Sequence, residues 1–132
     1  SRRPVIYLDT SVALAQLFAE DRRPPASLWS ETLVSSRLLE YELWNRVNAR
    51  GLAKAHDESV RGLLGRVAFV ELARPVLDRA LEPFPAPVRT LDALHLASMD
   101  FLRRQGQRVT LASYDERFTD AAKRMKFAIA RL

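Results

Sequence analysis

This 132-residue sequence predicts an α/β fold built on a parallel sheet, and two observations carry that prediction. Short runs of β-favouring residues alternate along the chain with segments of helical periodicity, the order that builds parallel sheets. The first of these runs, Val5-Ile6-Tyr7-Leu8, is apolar throughout and preceded by Pro4, as in a strand covered on both faces. Strands of this kind carry ligand sites at their carboxyl ends. Here that end reads Asp9-Thr10-Ser11.

Each element can be justified in order. Thr10 or Ser11 can cap a helix through Val12-Ala13-Leu14-Ala15-Gln16-Leu17-Phe18. Glu20-Asp21-Arg22-Arg23-Pro24-Pro25 is a polar turn, and Pro25 opens a short helix from Ala26 to Glu31. Thr32-Leu33-Val34-Ser35-Ser36 is a second strand, after which Ser36 caps a helix from Arg37 to Arg50 that stops at Gly51. Leu39, Leu43 and Val47 form the apolar stripe of that helix. Glu40 and Glu42 flank the stripe on opposite sides, and periodicity leaves open which of them points inward.

Asp57 is expected to cap a helix through Leu64, ahead of a third strand, Val67-Ala68-Phe69-Val70-Glu71-Leu72. A brief helix from Pro75 to Leu81 leads into Pro83-Phe84-Pro85-Ala86-Pro87, a stiff connector with too little chain on either side to separate two cores. Thr90 starts a helix apolar nearly all the way round, which predicts burial. Asp92 and His95 are its polar exceptions. Val109-Thr110-Leu111-Ala112-Ser113 is a fourth strand with Tyr114-Asp115 at its end, and a helix from Glu116 to Met125 precedes a last apolar segment, Phe127 to Ile129.

Composition sets the outer bounds. The length suits one domain spanning 1–132 that needs no covalent staple. Cysteine is absent, which excludes disulfides, thiolate metal sites and cysteine nucleophiles and fits a reducing cytosol. No apolar run approaches the ~20 residues of a membrane span and no signal pattern opens the chain, so a soluble cytoplasmic protein is expected. Beginning at Ser1, the chain is expected to lack a few native residues or to carry a tag remnant. The net charge is +5, carried mostly by arginine, with lysine only at Lys54, Lys123 and Lys126. Arginine suits bidentate phosphate contacts, so a polyanionic partner fits this balance.

Four acids occupy related places: Asp9 and Asp115 beyond strand ends, Glu42 early in the helix after the second strand, and Asp92 at a helix mouth. In a parallel sheet all four can converge on one edge. Each also has a plain structural reading: Asp92 suits the helix dipole, Glu42 can pair with Arg46, and Asp115 can initiate a turn. Converging carboxylates repel by ~4 kcal/mol per pair at 4 Å and an effective dielectric of 20, so they need a proton or a cation. An all-oxygen cluster selects Mg²⁺ or Mn²⁺ over zinc. Such an ion can activate water and neutralise a phosphoryl group under attack, and beside an arginine-rich surface that chemistry is phosphodiester hydrolysis. His95 reads as a hydrogen-bonded group rather than a ligand, His56 as a solvated loop residue, and Trp29 and Trp44 as core or interface anchors.

The ordered set Tyr7-Leu8-Asp9-Thr10-Ser11, Ser36 with Glu42-Leu43 six residues on, Arg89-Thr90-Leu91-Asp92-Ala93-Leu94-His95-Leu96-Ala97, and Ser113-Tyr114-Asp115-Glu116-Arg117-Phe118 resembles the PIN-domain family. More closely it resembles the VapC-type toxins of bacterial toxin–antitoxin pairs. The resemblance implies a three-layer α/β/α sandwich with a mostly parallel sheet. It also implies a Mg²⁺- or Mn²⁺-dependent endoribonuclease acting on structured RNA such as transfer or ribosomal RNA, a homodimer, and a cognate antitoxin partner. Asp9, Glu42, Asp92 and Asp115 match the family's acidic quartet, and the Ser36-to-Glu42 spacing selects Glu42 over Glu40. On this expectation Asp9, Asp92 and Asp115 hold the metal, Glu42 binds or orients the attacking water, and Thr10 and Ser113 match hydroxyl positions nearby. Hydrolysis would leave a 5′-phosphate and a 3′-hydroxyl.

Other readings differ in what the chain should contain. A non-toxin PIN nuclease would share the site. An RNA- or protein-binding module of the same fold would not need all four acids. A phosphatase using Asp9 as nucleophile would want a second acid two residues on and a lysine after the fourth strand, and both are missing.

Overall fold

A computed structural model describes residues 3–19 and 21–132, so Glu20, the first residue of the expected polar turn, lies outside the described residues together with Ser1. The chain alternates strand and helix through β1 (Val5–Leu8), α1 (Thr10–Phe18), β2 (Leu33–Ser36), α2 (Leu38–Ala49), α3 (Ala53–Leu64), β3 (Val67–Val70), α4 (Arg74–Ala80), α5 (Thr90–Arg104), β4 (Val109–Ala112), α6 (Glu116–Arg124) and β5 (Ala128–Ile129). A 3-10 turn, Ala26–Ser30, stands where a short helix was expected. All strand pairs among the described residues are parallel, in the order β3-β2-β1-β4-β5. The last apolar segment supplies the fifth, edge strand.

Alternation along β1 separates the two cores. Ile6 and Leu8 point into one cluster with Val12 and Ala13 of α1, Leu39, Leu43 and Val47 of α2, and Val60 and Leu63 of α3. Tyr7 points into the other with Leu96 and Met99 of α5 and Phe118 and Ala122 of α6. Helices therefore cover both faces, giving the three-layer α/β/α sandwich, and the apolar run of β1 follows from burial on both sides.

Several local expectations are corrected. Asp9, rather than Thr10 or Ser11, is the N-cap of α1, because its carboxylate reaches the Ser11 N–H. Ser36 does accept the Leu38 N–H at 3.0 Å and so helps to start α2, and Gly51 follows that helix with φ of +68°. Asp57 does not cap α3. The helix begins earlier, at Ala53, since Ala53-Lys54-Ala55 are good helix formers, and Asp57 pairs with Arg61 one turn on at 2.9 Å. His56 is thereby helical and packs against Phe18, their ring centroids 4.8 Å apart, instead of lying in a solvated loop. β3 ends at Val70, short of Leu72. Full burial in α5 is confined to its middle, from His95 to Asp100, while Leu91 is exposed. No helix among the described residues is long and apolar enough to cross a membrane.

Candidate active site

β1 and β4 are neighbours in the sheet, yet they lead into helices on opposite faces, α1 and α6. A crevice opens at their carboxyl ends, where the strand order reverses. The backbone stays joined to its base by the Asp9 N–H donating to Ala112 O at 3.0 Å. Into this crevice come Asp9 after β1, Asp115 after β4, Glu42 from the second turn of α2 and Asp92 from the first turn of α5. All four line one cavity of about 440 Å³, together with Thr10, Ser11, Arg89 and His95.

Asp9 is the most deeply set, only 8% exposed. Its Oδ2 accepts from Ser11 Oγ at 2.6 Å and Ser113 Oγ at 2.7 Å. Burial pushes this carboxyl above the usual carboxylate range even though those hydroxyls stabilise its charge. Ser113 in turn accepts the Asp115 N–H, and Ser11 accepts the Tyr114 N–H, so both serines tie the end of β1 to the loop after β4. Ser11 is therefore as much part of the site as Ser113, although only Thr10 and Ser113 are singled out by sequence.

Asp115 caps α6, its Oδ1 accepting from the Arg117 and Phe118 N–H groups at 3.0 and 3.2 Å. Burial acts to raise its pKa, but the Arg89 guanidinium and these amides outweigh it and hold the carboxyl below the usual range. Arg89 bridges Asp115 to Asp92, with Nη2 2.7 Å from Asp92 Oδ2 and 2.8 Å from Asp115 Oδ2.

Glu42 is resolved from Glu40 by its surroundings. Glu40 is half-buried, its side chain 44% exposed, and lies 3.6 Å from Arg37. Glu42 Oε1 accepts from Thr10 Oγ1 at 3.1 Å and lies 2.6 Å from His95 Nε2, instead of pairing with Arg46. His95 Nδ1 stands 2.7 Å from the Tyr7 hydroxyl, whose oxygen accepts the Ser36 N–H at 3.1 Å. The Glu42 carboxylate can only accept, so Nε2–H faces it, and in that tautomer of the neutral ring Nδ1 accepts from the Tyr7 O–H. Tyr7 is fully buried, and burial drives its pKa far above that of a free phenol, which keeps the proton on the oxygen as this chain of bonds requires. Tyr7→Phe leaves the Ser36 N–H and His95 Nδ1 without their partner. Such a variant should lose about 1–3 kcal/mol in urea denaturation; a change below about 0.5 kcal/mol would show that the bonds contribute nothing.

A hard divalent ion fits the donor set, since the cavity offers carboxylate oxygens from Asp9, Asp92 and Asp115 with no sulfur. As the side chains stand, though, no three acidic or imidazole groups among the described residues converge closely enough to hold one. Asp9 is turned to its serines, Glu42 to His95, and Asp92 and Asp115 to Arg89. The bond from Tyr7 to His95 and the one from Arg89 to Asp115 are not signalled by sequence pattern, because those partners lie 88 and 26 residues away.

Comparison with known proteins agrees with this fold. Residues 6–124 match the PIN domain family model. Two relatives from Mycobacterium tuberculosis are similar over nearly their whole length. Ribonuclease VapC47 of strain CDC 1551 / Oshkosh is 30% identical over 133 residues, covering 96% of each chain. Ribonuclease VapC46 of strain ATCC 25618 / H37Rv is 31% identical over 127 residues, covering 94% of this chain and 95% of its own. The crystal structure of Mycobacterium tuberculosis VapC20, described as a sarcin–ricin loop cleaving toxin, superposes with a TM-score of 0.65 at 21% identity, over 88% of this chain and 94% of that one. At that identity the likeness supports the fold alone.

Proposed function

The chain belongs to the PIN-domain family, and from that premise we propose that it is a VapC-type endoribonuclease toxin that hydrolyses RNA phosphodiester bonds with the help of Mg²⁺ or Mn²⁺. The observation that carries this reading is the arrival of four carboxylates from four separate elements in a single cavity at the switch point of the sheet. Asp9, Asp92 and Asp115 are the residues that would hold the ion. When bound, it would supply an activated water and neutralise charge developing on the phosphate.

The chain's own groups do the remaining work. Among the described residues both hydrogen bonds of Glu42 fall on Oε1, so Oε2 is left to orient the attacking water and take up its proton. Tyr7 and His95 hold that carboxylate from behind. Ser11 and Ser113 set the rotamer of Asp9. Phosphoryl transfer depends mostly on positioning and electrostatics, which suits a site built of braced charges.

We extend the proposal to a structured ribosomal or transfer RNA as substrate, a cognate antitoxin as the blocking partner, a cytoplasmic location and a homodimer. The exposed apolar side chains of Leu77 and Leu81, at the end of α4, support a partner-covered face there, where Leu81 is 83% exposed. Incubation with structured RNA should give cleavage that stops on chelation with EDTA and returns with excess Mn²⁺. The new ends should be 5′-phosphate and 3′-hydroxyl. Undiminished cleavage in EDTA, or 2′,3′-cyclic phosphate ends, would rule out the metal-assisted reading.

A further inference from the structure

Arg89 contacts two of the proposed ligands and is used by no step above. Its Nε and Nη2 both lie 2.7 Å from Asp92 Oδ2, and the same Nη2 lies 2.8 Å from Asp115 Oδ2. One nitrogen therefore sits between two carboxylates at the position a shared cation would take. We infer that Arg89 is a built-in stand-in for the divalent ion: it holds the Asp92–Asp115 pair in place and must be displaced for an ion to bind. This inference rests on the reading of the cavity as a divalent-ion site.

Three features argue for exchange over a permanent brace. Arg89 is the only ion-pair partner found for Asp92 and Asp115 among the described residues, so no other basic side chain there neutralises the pair at contact distance. It is also the residue just before α5, with extended φ and ψ of −68° and 154°, at the end of the proline-dense connector. Its side chain remains 45% exposed, so it can swing away without opening the core. Finally, a single positive charge shared by two carboxylates leaves them under-neutralised beside Asp9 and Glu42, a deficit that a doubly charged ion removes. Competition of this kind lowers apparent ion affinity by the fraction of molecules in which Arg89 is in place.

Calorimetric titration with Mn²⁺ alone tests this on the wild type, Arg89→Ala, Arg89→Lys and Arg46→Ala. Arg89→Ala should bind Mn²⁺ on the order of tenfold more tightly. Arg89→Lys should also bind more tightly than the wild type, because it keeps the charge but loses the planar fork. Arg46→Ala removes an equal charge from the same cavity wall and should change affinity by less than about threefold. Equal or weaker binding by Arg89→Ala would make Arg89 an organiser of the ligands and overturn the inference. So would Arg46→Ala matching Arg89→Ala, which would reduce the effect to bulk charge. If the wild type binds Mn²⁺ and Arg89→Ala binds no better, only this inference fails. If none of the proteins takes up Mn²⁺, the divalent-ion reading fails with it.

Discussion

Asp9→Asn should abolish RNA cleavage, by about 10³-fold or more, while making the metal-free protein harder to unfold. The first half follows from charge. Asp9 lies deepest in the cavity, and an amide in its place keeps the shape but removes the negative charge that a metal would seek. Losing a preorganised electrostatic partner at a reacting centre typically costs 10²–10³ in rate, and losing a metal ligand adds to that.

The second half follows from burial. Burial raises the Asp9 carboxyl above its unfolded value against the opposing Ser11 and Ser113 hydroxyls, so the native state holds its proton more tightly than the unfolded chain does. Stability then falls as pH rises from the unfolded carboxylate value, about 3.9, through the raised native one, and stays lowered above it. Asparagine removes that slope and can still accept from both serines. A gain on the order of 1 kcal/mol at neutral pH, measured by urea denaturation in EDTA, is expected. Retained full activity would sink the proposed mechanism, whereas a clear loss of stability would sink the burial argument alone.

Asp100→Ala should be strongly damaging although it lies away from the cavity, lowering stability by about 3–5 kcal/mol. Asp100 is 5% exposed within α5. It receives Arg79 Nε at 2.7 Å, Arg103 Nη2 at 2.9 Å and Arg104 Nε at 3.1 Å. Arg103 and Arg104 are partly solvated, and their share is small. Arg79 is the least exposed of the three, and through it α4 is fastened to α5, so alanine would take the main carboxylate partner from a mostly buried guanidinium.

The pH dependence runs opposite to that of Asp9. Burial alone would raise the Asp100 carboxyl, but the arginines more than offset it and the net direction is down. The native state therefore binds this proton less readily than the unfolded chain. The stabilisation is complete above the unfolded value of about 3.9 and is lost as pH falls through the depressed native value. Wild type and Asp100→Ala should differ strongly at pH 7 and converge in acid. A difference that persists unchanged below pH 3 would show that packing, not charge, holds this contact.

Two carboxylates on α2 show where reading the sequence stops. Glu40 and Glu42 stand two positions apart, roughly 200° around a helix, and flank the same stripe of Leu39, Leu43 and Val47. Family spacing favoured Glu42, but only the tertiary positions of Thr10 and of His95 on α5 show partners for it. The cap of α1 was ambiguous for a similar reason. Asp9, Thr10 and Ser11 all have capping side chains, and the choice falls to Asp9 because Thr10 is drawn away to Glu42.

The sequence by itself determined the α/β alternation, the main strands and helices, and the edge at which Asp9 and Asp115 emerge. Periodicity, proline and glycine act over a few residues, and those distances are written into the chain. Tertiary structure alone decided what each acid faces: serines for Asp9, the Tyr7–His95 pair for Glu42, and one arginine shared by Asp92 and Asp115. Electrostatic partnership depends on separation in space, and the parallel crossovers that bring these groups within 3 Å also place most of them far apart along the chain.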